Sequence, residues 1–433
     1  TWRYHISYFP LEGQTGASLW PGRDLAWIWT DFPKRGKRFI LRSFGDGDDH
    51  TKIIDGAKSA QEGAHPFEIE TKITQADFVP WLPINPYLRK NPPLALGVEC
   101  DAQGEFLGAG LLPAAQVARI REYVDASRAV GVSRYAIRID RVGNSIFDSA
   151  HEVNLYAYMR FIRDPSATAD GVIGEYAAKR FGAAAKEMVP LVKDELEMIR
   201  NIHYVASNLV FHSYPLTPET KWLKAGGIFS VYRENADLAG TKDIWSILSW
   251  MKTPSHAQIL SEKEKGLAMA EAGLAKVESL KDGMPADEYA RQHRAFSAAV
   301  KAAKALQAFT KCCVAYFEDM KAKRDVPAAL EREVKDAVRV IEAQMTNVKD
   351  DFTGKGTYFA VVGENLDRVY FIGLRFYCRE LLKEYKDQDW DMHKLWFELT
   401  TRRPQEMQPP LTAGAGRELI AQMPRMPGKT GTS

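Results

Sequence analysis

The sequence predicts an α/β fold that gives way, near residue 149, to an almost wholly helical one. Three observations carry this. Five short runs of the first 140 residues alternate apolar and polar side chains with a period of two. Helical stretches separate them, and each run ends in a polar loop. Beyond residue 149 the apolar residues recur at three-to-four spacing instead. Strands alternating with helices imply a parallel sheet of βα units. Such units resemble a (β/α)8 TIM barrel, whose active site sits at the C-terminal ends of its strands. Five strands are not eight, so the expectation is a partial barrel, strands four to eight, over 1–148. A helical domain over 149–403 and a loosely ordered tail over 404–433 follow, the tail being rich in Pro, Gly, Thr and Ser. The first three strands are expected ahead of Thr1, in the same protein or on a partner chain.

The first strand is 3–9, with Tyr4, Ile6 and Tyr8 on one face and His5 and Ser7 on the other. A Gly-rich turn leads to an amphipathic helix at 23–32 and a second strand at 37–44. A helix at 51–61 precedes strand three at 67–74, which turns Phe67, Ile69 and Ile73 to one side and Glu68, Glu70 and Lys72 to the other. Strand four, 94–101, repeats the pattern with Leu94, Leu96, Val98 and Cys100 against Glu99 and Asp101. Helix 113–129 stops at Gly131, and strand five, 133–140, places Arg138 and Asp140 inward. Helices are then expected at 151–163, 172–205, 218–234, 241–250, 261–279, 286–323, 327–350 and 365–384. Pro285 and Pro327 stand near two of the helix starts, where proline is tolerated.

Composition narrows the function. The 433 residues are 45% hydrophobic and 26% charged, ordinary for globular domains. A net charge of +2 gives no electrostatic case for nucleic acid or an anionic membrane as partner. No apolar run has the length of a membrane span. Cys100, Cys312, Cys313 and Cys378 lack metal or redox spacing, and four free thiols fit a reducing compartment better than secretion. The location itself stays open, with a cytoplasmic or periplasmic one expected ahead of secretion. His5 and His151 have no ligand-spaced neighbours, so neither a metal nor a cofactor is expected. Phosphate loops and a serine-nucleophile elbow are likewise absent from the sequence.

Consecutive strand ends carry Glu12, Arg42, Lys72 with Asp77, and Glu105. Three carboxylates and two cations in that order suit hydrolysis of a glycoside that itself bears an acid. One protonated carboxyl donates to the leaving oxygen, and another carboxylate acts from the opposite face of the sugar. Arg and Lys hold the substrate's own acid. Trp20, Phe78, Trp81 and Phe106 either stack on sugar rings or pack. Asp77 and Glu105 have the alternative of capping the following helices. Arg42 and Lys72 have that of pairing with Glu70, Glu99 or Asp140 inside the sheet.

Read together, these segments resemble the α-glucuronidases of glycoside hydrolase family 67. Glu12-Gly-Gln-Thr-Gly16 is similar to that family's Glu-Gly-Gln-Pro-Gly, and Leu41-Arg-Ser-Phe44 to its Arg-x-Phe strand end. Lys72-Ile-Thr-Gln-Ala-Asp77-Phe78 matches its Lys-to-Asp spacing, and Glu99 to Gly108 resembles the segment carrying its second base. Asn154-Leu-Tyr-Ala-Tyr158 and Asp164-Pro165 resemble its Asn-Leu-Tyr and Asp-Pro. The likeness covers about 1–185, in order; Gly104, Phe106 and Thr15 replace the family's Gln, Tyr and Pro, and the Asn-Gly-Pro of its lysine loop is missing.

The resemblance implies an inverting, exo-acting hydrolase that releases (4-O-methyl-)glucuronic acid from xylan-derived oligosaccharides. Glu12 would be its general acid, Asp77 and Glu105 its base pair, and Arg42 and Lys72 the contacts to the uronate. An inverting site sets acid and base roughly 6.5–9.5 Å apart. A homodimer built on the helical domain is also implied. Another uronic-acid or neutral glycoside, or a non-catalytic sugar-binding or assembly role, remain the alternative expectations.

Overall fold

The computed structural model describes residues 3–7, 38–43, 68–74, 78, 80, 84–85, 88, 95–141, 144–205, 208–209, 256–322, 327–349 and 366–386. Five parallel strands form one sheet in chain order: β1 (Arg3–Ser7), β2 (Arg38–Ser43), β3 (Glu68–Lys72), β4 (Ala95–Asp101) and β5 (Arg134–Arg138). Each expected strand is present, its described residues falling within the expected bounds. The expected helices at 23–32, 51–61, 218–234 and 241–250 lie outside the described residues, as does the tail.

Alternation explains the sheet's two faces. Ile69, Leu96, Val98 and Cys100 are buried on one side against α1 (Val117–Ala129), whose Val117, Ile120, Tyr123 and Val124 point into the same core. Gly131, at φ +73°, ends that helix; its N–H donates to the Arg128 carbonyl at 3.0 Å and that of Val132 to Ser127 at 3.0 Å. The charged side is buried as well, since Glu70, Lys72, Glu99 and Asp101 are each at most 6% exposed. Buried charges must be paired or hydrogen-bonded to persist. Glu70 meets Arg134 at 3.3 Å and Glu99 meets Arg138 at 3.7 Å. The first pair reaches across β4 at Gly97, which is in register with both partners. A Cβ there would come within 2.5 Å of the Arg134 guanidinium, so a larger residue would push that side chain aside.

After two short antiparallel pairs of residues (β6, Asp140–Arg141, with β7, Asn144–Ser145), the chain is helical. Helices α2 (Glu152–Arg163), α3 (Ala169–Arg180), α4 (Ala185–His203), α5 (His256–Ser279), α6 (Ala286–Lys321), α7 (Ala328–Glu342) and α8 (Ile372–Lys386) follow. A short pair, β8 (Tyr204–Val205) with β9 (Asn208–Leu209), follows α4. Thr168 caps α3, its hydroxyl accepting the Gly171 N–H at 3.1 Å. The single helix expected over 172–205 is two helices. The break falls at Gly182, whose φ of +57° is costly for any residue with a Cβ. Apolar spacing runs on through buried Phe181, which is why periodicity concealed it. The helix expected over 327–350 ends at Glu342.

One hydrophobic core runs from Ile69 in β3 to Tyr385 in α8, with no break at the expected boundary of 148 and 149. A partly buried ionic cluster reinforces that junction. Arg291 of α6 meets Glu152 at 2.8 Å and also pairs with Glu288, while Arg180 meets Glu152 and Glu288 at 3.3 and 3.2 Å. Arg291 further donates to the Phe147 carbonyl at 3.1 Å, tying α6 to the turn before α2.

Candidate active site

The segment after β4 is where the structure is most heavily pinned. Asp101, the last residue of the strand, is 4% exposed and turns back into its own loop. Its Oδ1 accepts the Gln103 N–H at 3.0 Å, and its Oδ2 accepts the Glu105 N–H at 2.6 Å. Gly104 between them takes φ +68°, and a Cβ on it would stand 2.7 Å from the His151 ring. Its carbonyl accepts the Leu107 and Ala109 N–H groups, both at 2.9 Å. Glu105 itself is half-buried.

Helical-domain side chains complete the scaffold. Asn154 of α2 donates to the Ala102 and Ala114 carbonyls at 3.1 and 2.9 Å and accepts the Gln116 N–H at 2.8 Å, closing the loop's two ends on one residue. The Gln116 side chain donates to the Asp101 carbonyl at 3.1 Å. His151 Nε2 lies 2.7 Å from the Leu112 carbonyl, and burial holds the imidazole's pKa below its usual value. Glu195 of α4 accepts the Ala115 N–H at 2.8 Å; full burial pushes its carboxyl up to about 8. Tyr204 donates its hydroxyl to the Phe106 carbonyl at 2.8 Å. A loop carrying a half-buried carboxylate is thereby fixed from both sides, as a reacting group requires.

On the neighbouring strand, Lys72 is register partner to Glu99 and is 3% exposed. Its ammonium lies 4.2 Å from the centre of the Phe78 ring, and the Arg138 guanidinium lies 5.9 Å from the same centre. An aromatic face attracts cations electrostatically. Arg138, at a side-chain exposure of 38%, is the more open of the two cations. Asn85 braces the end of β3, donating to the Thr71 hydroxyl at 3.0 Å and to the Lys72 carbonyl at 3.2 Å.

The structure therefore gathers Lys72, Phe78 and Glu105, of the residues expected from the sequence, around the C-terminal ends of β3 and β4. Phe106 and Phe78, at 2% and 6% exposure, both pack in the core, so the packing alternative holds for each in this structure, Phe78 with its ring against the Lys72 ammonium. Arg42 lies in β2, in register with Ser7 and Glu70. Glu12, Trp20, Asp77 and Trp81 lie outside the described residues. Glu99 lies 3.7 Å from Arg138 within the sheet, and Asp101 accepts backbone N–H groups of the loop. Sequence reading did not find the roles of Gln116 and Glu195. Asn154 stood out only through resemblance.

Among the described residues no group of three or more His, Cys, Asp or Glu is placed to hold a metal, and no helix is long and apolar enough to cross a membrane. All four cysteines are buried free thiols.

No protein-family model matches the chain, and no curated protein matches it. Among solved structures it is similar to a GH138 enzyme targeting pectin rhamnogalacturonan II, at 13% identity and a TM-score of 0.45. The match covers 86% of this chain and 47% of that one, so the chain spans about half the length of that enzyme.

Proposed function

We propose that the chain is a glycoside hydrolase whose site lies at the C-terminal ends of the parallel strands, and that its substrate bears a uronic acid. The observation that carries this reading is the placement of Glu105. It stands half-buried on a loop pinned by Asp101, Asn154 and Tyr204, and the neighbouring strand β3 ends in Lys72, whose ammonium lies over the ring of Phe78 beyond the strand. In this reading Glu12 protonates the leaving oxygen, and Asp77 and Glu105 orient and deprotonate the attacking water. Arg42 and Lys72 hold the uronate, Arg as a fork and Lys as a point charge. The reading takes the five-stranded sheet as strands four to eight of a (β/α)8 barrel. The remaining strands would come from a preceding segment or a partner chain, and the helical domain would offer a homodimer surface. The family-67 resemblance names (4-O-methyl-)glucuronic acid on xylan-derived oligosaccharides as the leading substrate.

The test is release of uronic acid from aldouronic oligosaccharides by the purified chain, alone and with the preceding segment supplied. Glu105→Gln should lower kcat by about 10³-fold or more if Glu105 shares the base role. Lys72→Ala should raise KM for uronosides and leave any neutral glycoside unaffected. An equal effect of Lys72→Ala on both substrate classes would move the assignment to a neutral glycoside. Oligosaccharide binding without turnover in both preparations would overturn catalysis in favour of a sugar-binding or assembly chain.

A further inference from the structure

We infer that Asp101 is the positioning residue of Glu105, an assignment that rests on the glycosidase reading for its catalytic consequence but on geometry for its mechanism. Asp101 ends β4 and never needs to meet a substrate to act. Its two oxygens take up the N–H groups of residues 103 and 105 at 3.0 and 2.6 Å, and it is 4% exposed. The second bond falls on the backbone of the very residue whose side chain emerges half-buried from the loop.

The residue type matters. An ionised aspartate offers acceptors only, on both oxygens, and its bonds to N–H groups are charge-assisted. Asparagine in the same place offers one acceptor and an NH2 that would face an N–H. It can therefore hold residue 103 or residue 105, but not both. Around this clamp the backbone has little other freedom. The Asp101 carbonyl is fixed by Gln116 at 3.1 Å, and Gly104 lies under the His151 ring. The Gly104 carbonyl holds residues 107 and 109. Releasing the 105 N–H thus removes a direct hold on the Glu105 backbone while the rest of the loop stays anchored. That is a local misplacement of one carboxylate, which is how a group remote from the chemistry controls rate.

The experiment pairs amide hydrogen exchange with kinetics on the full chain. In the unaltered protein the Gln103 and Glu105 amides should be protected; exchange of the Glu105 amide at an unprotected rate would overturn the inference without any variant. In Asp101→Ala, which leaves no acceptor for either N–H, protection at 105 should fall while the α1 amides keep theirs, and kcat should drop about 10²-fold with KM little changed. Added to Glu105→Gln, the Asp101→Ala change should cost nothing more, because it acts through Glu105. An independent, multiplicative loss in the double variant would overturn the assignment, as would unaltered exchange at 105. If Glu105→Gln retains full turnover, or no glycoside is turned over, the glycosidase reading fails, while the exchange comparison still decides what Asp101 holds.

Discussion

Asn154 offers the sharpest test of whether the helical domain scaffolds the loop that carries Glu105. Its carboxamide makes three hydrogen bonds, at 3.1, 2.9 and 2.8 Å, to the Ala102 and Ala114 carbonyls and the Gln116 N–H. It is fully buried, and its partners are buried with it. Asn154→Ala strands two acceptors and one donor. Each unsatisfied buried group costs about 1–3 kcal/mol, but the space left by the carboxamide is polar and can admit a water that bonds to two or three of them. The expected net loss is about 2–4 kcal/mol. Asn154→Asp should be worse, because the carboxylate keeps the Gln116 N–H and turns a second negative oxygen on two carbonyls. Urea unfolding of the three proteins at neutral pH reads both effects as midpoint shifts at constant slope. A loss below about 0.5 kcal/mol for the alanine variant, the range of ordinary surface changes, would refute the scaffold. So would an aspartate variant more stable than the alanine one.

Two further outcomes follow from burial. Glu195 holds its proton up to a pKa of about 8 in the folded chain, whereas the unfolded group loses it near 4.5. A raised folded pKa means stability is full below the unfolded value and is lost as pH rises through the folded one. Glu195→Gln keeps a side-chain acceptor for the Ala115 N–H and removes that slope. The difference in urea midpoint between variant and parent should therefore grow in the variant's favour from about pH 5 to about pH 9; a flat difference would refute the burial argument. Gly266 of α5 lies against the end of α4, where a Cβ would come within 2.8 Å of the Asn201 backbone carbon and 2.9 Å of the Ile202 nitrogen. Gly266→Ala should destabilise by about 1–3 kcal/mol, since neither helix backbone can yield cheaply. Gly174→Ala in α3, with nothing within 4 Å, should stabilise by about 0.5–1 kcal/mol. Thermal midpoints moving in the same direction for both would contradict this account of the close approach.

How much of this was legible in the sequence depends on how local the signal is. The strands were, because alternation is a property of five or six consecutive residues: 67–74 contains Glu68–Lys72, and 94–101 contains Ala95–Asp101. Helices α2 and α6 were also legible from their apolar spacing. The interruption at Gly182 was not, because the helical periodicity passes through Phe181 while the backbone does not. The loop scaffold was invisible for another reason. Glu195 and Ala115 are 80 residues apart in the chain, and Tyr204 and Phe106 are 98 apart. No periodic pattern links such pairs.

The charged face of the sheet shows how sequence and structure divide the explanation. Alternation alone put Glu70, Lys72 and Glu99 on one side, and it left open whether they meet a substrate or one another. The structure shows that some of this charge is internal: Glu70 is matched to Arg134 across Gly97, and Glu99 stands beside Arg138. Buried ion pairs of this kind are seldom more stabilising than apolar side chains of the same volume. A sheet that needed only to be stable could have covered both faces with Val, Ile and Leu, as parallel sheets commonly do. Keeping charges under cover at the strand ends, beside a loop held by side chains from distant helices, costs stability and yields a fixed electrostatic surface. Glu105 is the half-buried carboxylate on that loop, and the role proposed for it can be tested without knowing the substrate's name.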